Sequence, residues 1–155
     1  MGSGRRRARE LALQACYAFE MSGNPPEQIL GEIILNKSEP PGVLEFAVDL
    51  FRRTVAEIPV YDSMIRRKAV NWEFNRIAIM DKIILRLAIC EFLCFPDIPP
   101  KVSIDEAIEI AKKYSTEKSG RFVNGILDAV LNDLRREGRL HKIGRGLSEG
   151  NRDDG

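Results

Sequence analysis

Residues 76–95 read RIAIMDKIILRLAICEFLCF, and the fold turns on how they are read. Ile77, Ile79, Met80, Ile83, Ile84, Leu85, Leu87, Ala88, Ile89, Phe92 and Leu93 cover nearly the whole circumference of a helix. A helix that is apolar on every side belongs in an interior, with other helices packed around it. Glu91 falls within the apolar half, so if buried it needs hydrogen-bonding or charged partners.

On both sides of this stretch, prolines and glycines separate segments of helical periodicity, with little of the alternation a strand requires. Helices are expected at 5–21, 26–37, 42–58, 60–71, 76–95, 103–114 and 118–137. The breaks fall at Gly23-Asn24-Pro25-Pro26, Pro40-Pro41-Gly42, Pro59, Asn71 to Asn75, Pro96 to Pro100 and Ser115 to Glu117. The expected fold class is all-α: about seven helices forming two small packed bundles, 5–58 and 60–137, around the buried central helix. Ser103-Ile-Asp-Glu106 has the pattern of a capping box, which places a helix start at Ser103. Residues 1–4 (MGSG) have the composition of an expression scar and carry no weight in the reading. Beyond Gly138 the chain is polar and Gly-rich, the composition of a disordered tail.

The bulk properties narrow the function. A chain of 155 residues, 44% hydrophobic and 30% charged, reads as a soluble globular protein. No apolar run approaches the roughly 20 residues of a membrane span, and no secretory signal opens the chain. Three cysteines without a disulfide framework fit a cytoplasmic protein with reduced thiols. Cys90 and Cys94 share a helix face, but a zinc site wants about four ligands and the one histidine, His141, lies in the tail. Phosphate-loop, dinucleotide-binding and nucleophile-elbow motifs are absent, so neither an enzyme nor a cofactor or metal site is expected. A formal net charge of +1 means that any nucleic-acid site is a local patch.

Two segments carry such patches. Residues 5–9 read Arg-Arg-Arg-Ala-Arg at the start of a helix, where the helix dipole disfavours cations. Phosphate binding and a merely solvated basic end both account for them. On the same helix Ala8, Leu11, Ala12, Ala15, Cys16 and Phe19 form the core stripe, while Leu13, Tyr17 and Met21 form a second line on roughly the opposite side. That second line suits either internal packing between two layers or docking of a partner.

The other segment is FVNGILDAVL, 122–131, a turn-prone Asn-Gly inside a helical pattern. Val123, Ile126, Leu127, Val130, Leu131 and Leu134 make the core stripe. Gly125 lies on the far side near Lys118 and Arg121, with Phe122 on the flank. A ring to stack a base, cations for phosphates and bare backbone are parts of a single-stranded nucleic-acid site. On these residues alone, a solvated helix face fits equally well. Asn124 lies between the two faces, where its amide suits a base, a phosphate or a neighbouring loop.

RRRARELALQACYAFE (5–20), DKIILRLAICEF (81–92), IDEAIEIAKKY (104–114) and GRFVNGILD (120–128) together resemble the NusB family of bacterial transcription antitermination factors. The resemblance runs from Arg5 to about Leu134. It implies an all-α, non-enzymatic protein. It also implies binding to the single-stranded box A element of ribosomal RNA leader transcripts, jointly with NusE, a small-subunit ribosomal protein. NusA, NusG and RNA polymerase are the implied larger assembly. By the same resemblance, Arg5, Arg6, Arg7 and Arg9 match an arginine-rich RNA-binding start, and Arg86 a basic position near the RNA path. Lys118, Ser119, Arg121, Phe122 and Asn124 fall in the C-terminal RNA-contact segment. Tyr17, Asp81 and Leu13 fall on the side that faces NusE. The sequence departs from some members at Lys118, where they carry an acid or asparagine, and at Asn75, where a capping role for the central helix is the simple expectation.

Two rivals stand beside this reading. One is a protein–protein adaptor without specific RNA recognition. The other is an RNA-binding module like that of ribosomal RNA cytosine methyltransferases. The second apolar line of the first helix also suits self-association into a homodimer.

Overall fold

The computed structural model describes residues 2–69 and 74–147. Seven α-helices and no strand occur among the described residues. They are α1 (Gly2–Ser22), α2 (Pro26–Ile29), α3 (Pro41–Ala56), α4 (Ile58–Lys68), α5 (Ile79–Cys94), α6 (Pro100–Tyr114) and α7 (Glu117–Arg136). α2 runs on as a π-helical turn, Leu30–Ile34, and a 3-10 turn, Phe74–Arg76, precedes α5. The chain divides into two compact units, Met1–Ile58 and Pro59–Gly155.

Three Pro-Pro pairs open three helices. In α2, α3 and α6 the second proline takes the first helical position and the first proline the cap. There a missing N–H costs nothing and the fixed φ is already helical. This moves the start of α6 to Pro100 and corrects the capping-box expectation. Ser103 lies inside the helix, 2% exposed, and its hydroxyl donates to Glu91 Oε1 at 2.7 Å. The need of buried Glu91 for a donor outweighs local capping. Asn75 does not cap α5 either: it lies in the 3-10 turn, and the N-cap position is Ala78. The expected end of the fourth helix at 70–71 and most of the break that follows lie outside the described residues.

In the first unit α1 packs on α3 and on the π-helical turn. Ala8, Leu11, Ala12 and Ala15 are fully buried on the expected stripe, and the Phe19 and Phe51 rings meet edge-on at 6.4 Å. In the second unit α5 packs against α6 and α7. Its residues Ile83 to Phe92 are all buried, as a helix apolar all round requires. Arg86 and Asp62 form a buried, two-pronged ion pair at 2.7 and 3.0 Å. Tyr61 is buried with its hydroxyl 3.8 Å from Cys94 Sγ, and burial pushes its phenol above the usual range.

Residues 138–147 are not the loose tail that the composition beyond Gly138 predicts. Gly138, at φ +66°, closes a Schellman motif in which Arg139 N–H donates to Leu134 O at 2.9 Å. The chain then lies along the C-terminus of α5. Lys142 Nζ donates to Glu91 O and Phe95 O at 3.1 and 2.8 Å, and Ile143 N–H donates to Pro96 O at 3.1 Å. Gly146 sits so close that a Cβ there would collide with the Pro96 carbonyl. Residues 148–155 lie outside the described part.

Candidate nucleic-acid interface

The second unit holds a pocket of about 230 Å³ lined by Arg76, Ile77, Ala78, Asp81, Thr116, Lys118, Ser119 and Phe122. It is smaller than the roughly 300–1,000 Å³ of a drug-sized site, which suits a fragment no larger than one base. The 3-10 turn, the first turn of α5 and the first turns of α7 build its walls. Thr116 caps α7 by accepting from Ser119 N–H at 3.0 Å. That cap sets the rotation of α7 and so the direction of Lys118 and Phe122.

Ser119 ties the two helices together. Its hydroxyl donates to Asp81 Oδ2 at 3.1 Å and lies 2.8 Å from the Ser115 hydroxyl. Burial pushes the Asp81 carboxyl above its usual range, against the opposing pull of the Ser119 and Ser115 hydroxyls. Its other oxygen, Oδ1, is buried without a hydrogen-bond partner among the described residues. Asp81, which the resemblance assigns to NusE, and Ser119, which it assigns to RNA, line one pocket.

The face of α7 beyond the pocket is open. Lys118 and Arg121 are exposed, and Phe122 and Asn124 are half-buried. A Cβ on Gly125 would meet nothing within 4 Å. Six core residues, Val123 to Leu134, are buried on the other side. Each full burial stabilises by about 1.5–3 kcal/mol, so α7 readily tolerates the roughly 1 kcal/mol cost of glycine. Arg76 and Thr116 escaped the sequence reading. Arg76 sits in a 3-10 turn with no periodicity to flag it, whereas Thr116, next to an expected helix start, carried a legible N-cap signal.

On α1, in the other unit, the arginines divide. Arg5 is exposed and lies over the Phe46 ring at 4.2 Å, and Arg6 is half-exposed. Arg7 pairs with Glu39 at 2.8 Å. Arg9 is only 4% exposed and lies 5.5 Å from the same Phe46 ring. Three expected contact residues are therefore corrected to internal roles. Arg9 packs against Phe46, Arg86 is held by Asp62, and Leu13 is 0% exposed. Of the second apolar line only Tyr17 and Met21 reach solvent, at 39% and 56% exposure.

An all-helical chain with a small aromatic pocket rimmed by cations defines a class: helical proteins whose exposed chemistry suits a polyanion. Comparison with known proteins narrows the class. The NusB family pattern matches residues 6–132, and the chain belongs to the NusB family. It is 49% identical over 146 residues to the transcription antitermination protein NusB of Salinibacter ruber, covering 94% of this chain and 91% of that one. The structure of NusB from T. maritima is 42% identical, with a TM-score of 0.77, covering 83% of this chain and 91% of that one. A crystal structure of antitermination factors NusB and NusE in complex with double-stranded RNA aligns at 27% identity and a TM-score of 0.77, covering 86% of this chain and 99% of that one.

Proposed function

We propose that this chain is an RNA-binding transcription antitermination factor, without bond chemistry of its own, that binds single-stranded box A RNA jointly with NusE. The observation that carries the RNA reading is the open face of α7. A half-buried Phe122 lines a base-sized pocket beside exposed Lys118, and one turn on Gly125 leaves the backbone bare. Phe122 packs against an unstacked base, Lys118 and Arg121 hold phosphates, and Asn124 reads a base edge or supports a phosphate. Arg5, Arg6 and Arg7 supply a second cationic stretch. Kinship with NusB proteins, one of them solved with NusE and RNA, supports the joint assembly. Tyr17 and Met21 offer NusE an exposed apolar strip on α1. Two protein surfaces on one RNA raise affinity without new contacts, because the second engagement is intramolecular. NusA, NusG and RNA polymerase complete the proposed cytoplasmic assembly.

Separate replacement of Phe122 and Tyr17 tests this division of labour. Phe122→Ala is expected to weaken RNA binding by the ~1–3 kcal/mol of one stacked base while sparing NusE binding. Tyr17→Ala is expected to do the reverse. If Phe122→Ala leaves RNA retention unchanged, the adaptor reading replaces this one.

A further inference from the structure

Ion pairing sorts the cations of the second unit. Arg67, Lys68, Arg86, Lys112, Arg136 and Arg139 each meet a carboxylate. Arg66 and Lys82 meet none among the described residues. Both instead lie over one ring, Phe74, at 4.2 and 4.3 Å from its centroid. Their charges are therefore no more than 8.5 Å apart, the sum of those two distances. One cation satisfies an aromatic face. The second adds repulsion that a bound anion relieves.

The position of this pair indicates which anion. Phe74 opens the 3-10 turn that ends at Arg76, and Arg76, Ile77 and Ala78 line the base-sized pocket. Lys82 directly follows Asp81, which lines the same pocket. The ring that both cations cover thus adjoins the wall of the Lys118–Phe122 pocket through one short turn. A strand whose base occupies the pocket has further phosphates to place, and Arg66 and Lys82 beside it meet no carboxylate among the described residues. An acidic protein segment would satisfy the charges but has no use for the adjoining base-sized pocket.

We infer that single-stranded RNA leaving the Phe122 pocket crosses the Phe74–Arg76 turn and lays its phosphates on Arg66 and Lys82. This rests on the RNA-binding reading above and extends the footprint beyond the α7 segment.

The test compares a short box A RNA with versions extended by a few nucleotides at either end, by fluorescence anisotropy over a salt series. The proteins are the wild type, the double variant R66Q/K82Q and the charge-retaining R66K/K82R, each with its melting temperature recorded. One extension is expected to tighten binding to the wild type. R66Q/K82Q is expected to lose that advantage and to flatten the log–log salt slope by about 1.4, at ~0.7 per phosphate. R66K/K82R is expected to keep both. An unchanged slope and length advantage in R66Q/K82Q overturns the inference, as does a loss confined to NusE binding. A wild type that binds short RNA but gains nothing from either extension sinks this inference alone. A wild type that binds none of the RNAs sinks the RNA reading together with it.

Discussion

Gly125 shows most clearly what a single residue trades in this protein. A Cβ there would meet nothing, so packing does not explain the glycine. Gly125→Ala is expected to stabilise the fold by about 1 kcal/mol in urea denaturation and to weaken RNA binding by covering the bare backbone. A gain in stability without loss of RNA affinity would remove the functional reason for the glycine. Asp81 is a second case. A carboxyl whose value burial has raised holds its proton more tightly folded than unfolded. Its stabilising contribution is present at low pH and lost as pH rises from the ordinary value of 3.8 through the raised one. Asp81→Asn keeps an acceptor for Ser119 and escapes that loss. The variant is expected to be the more stable protein at neutral pH, with its advantage shrinking as pH falls to 3.8 and below. A pH-independent difference in urea midpoint would contradict this. Phe122 and Lys118 could be read from the helix wheel because exposure on an amphipathic helix follows from its own periodicity. Arg9, Arg86 and Leu13 could not, since their burial depends on Phe46, Asp62 and packing that no local pattern encodes.

At the scale of elements, the existence of all seven helices was legible and their ends were less so. α6 begins three residues earlier than its capping-box pattern suggests, because Pro99-Pro100 fixes the start and Ser103 is drawn inward to Glu91. Ser103→Ala is expected to cost about 1–3 kcal/mol by removing a donor from a buried carboxyl, measured as a lowered urea midpoint. The C-terminal strap was hidden for a related reason. Residues 139–147 have no periodicity of their own, and their order comes from carbonyls at the end of α5. Burial lowers the Lys142 ammonium to about 8, against the opposing pull of Glu91 and Asp97. Between pH 8 and the ordinary 10.5 the unfolded chain keeps this proton and the folded chain has released it. The contribution of Lys142 to stability therefore rises with pH across that window. Wild type is expected to gain on Lys142→Met as pH goes from 8 to 10.5. A constant difference in urea midpoint would show that the strap does not bury the amine.

At the scale of the whole molecule, a net charge of +1 is reconciled with RNA binding by where the charge is committed. Carboxylates neutralise several arginines and lysines, while Arg66, Lys82, Lys118 and Arg121 lack a carboxylate partner among the described residues. The proposed joint recognition with NusE removes the need for a strongly basic protein, since the partner would supply part of the binding energy. The most direct test of this account is the affinity of the full chain for box A RNA and a scrambled control, with and without NusE, across a salt series. A preference for box A that grows when NusE is added is the expected result. Affinity is expected to fall with salt at a log–log slope of about −0.7 per phosphate neutralised. Equal, weak binding to both RNAs with NusE present would contradict this account.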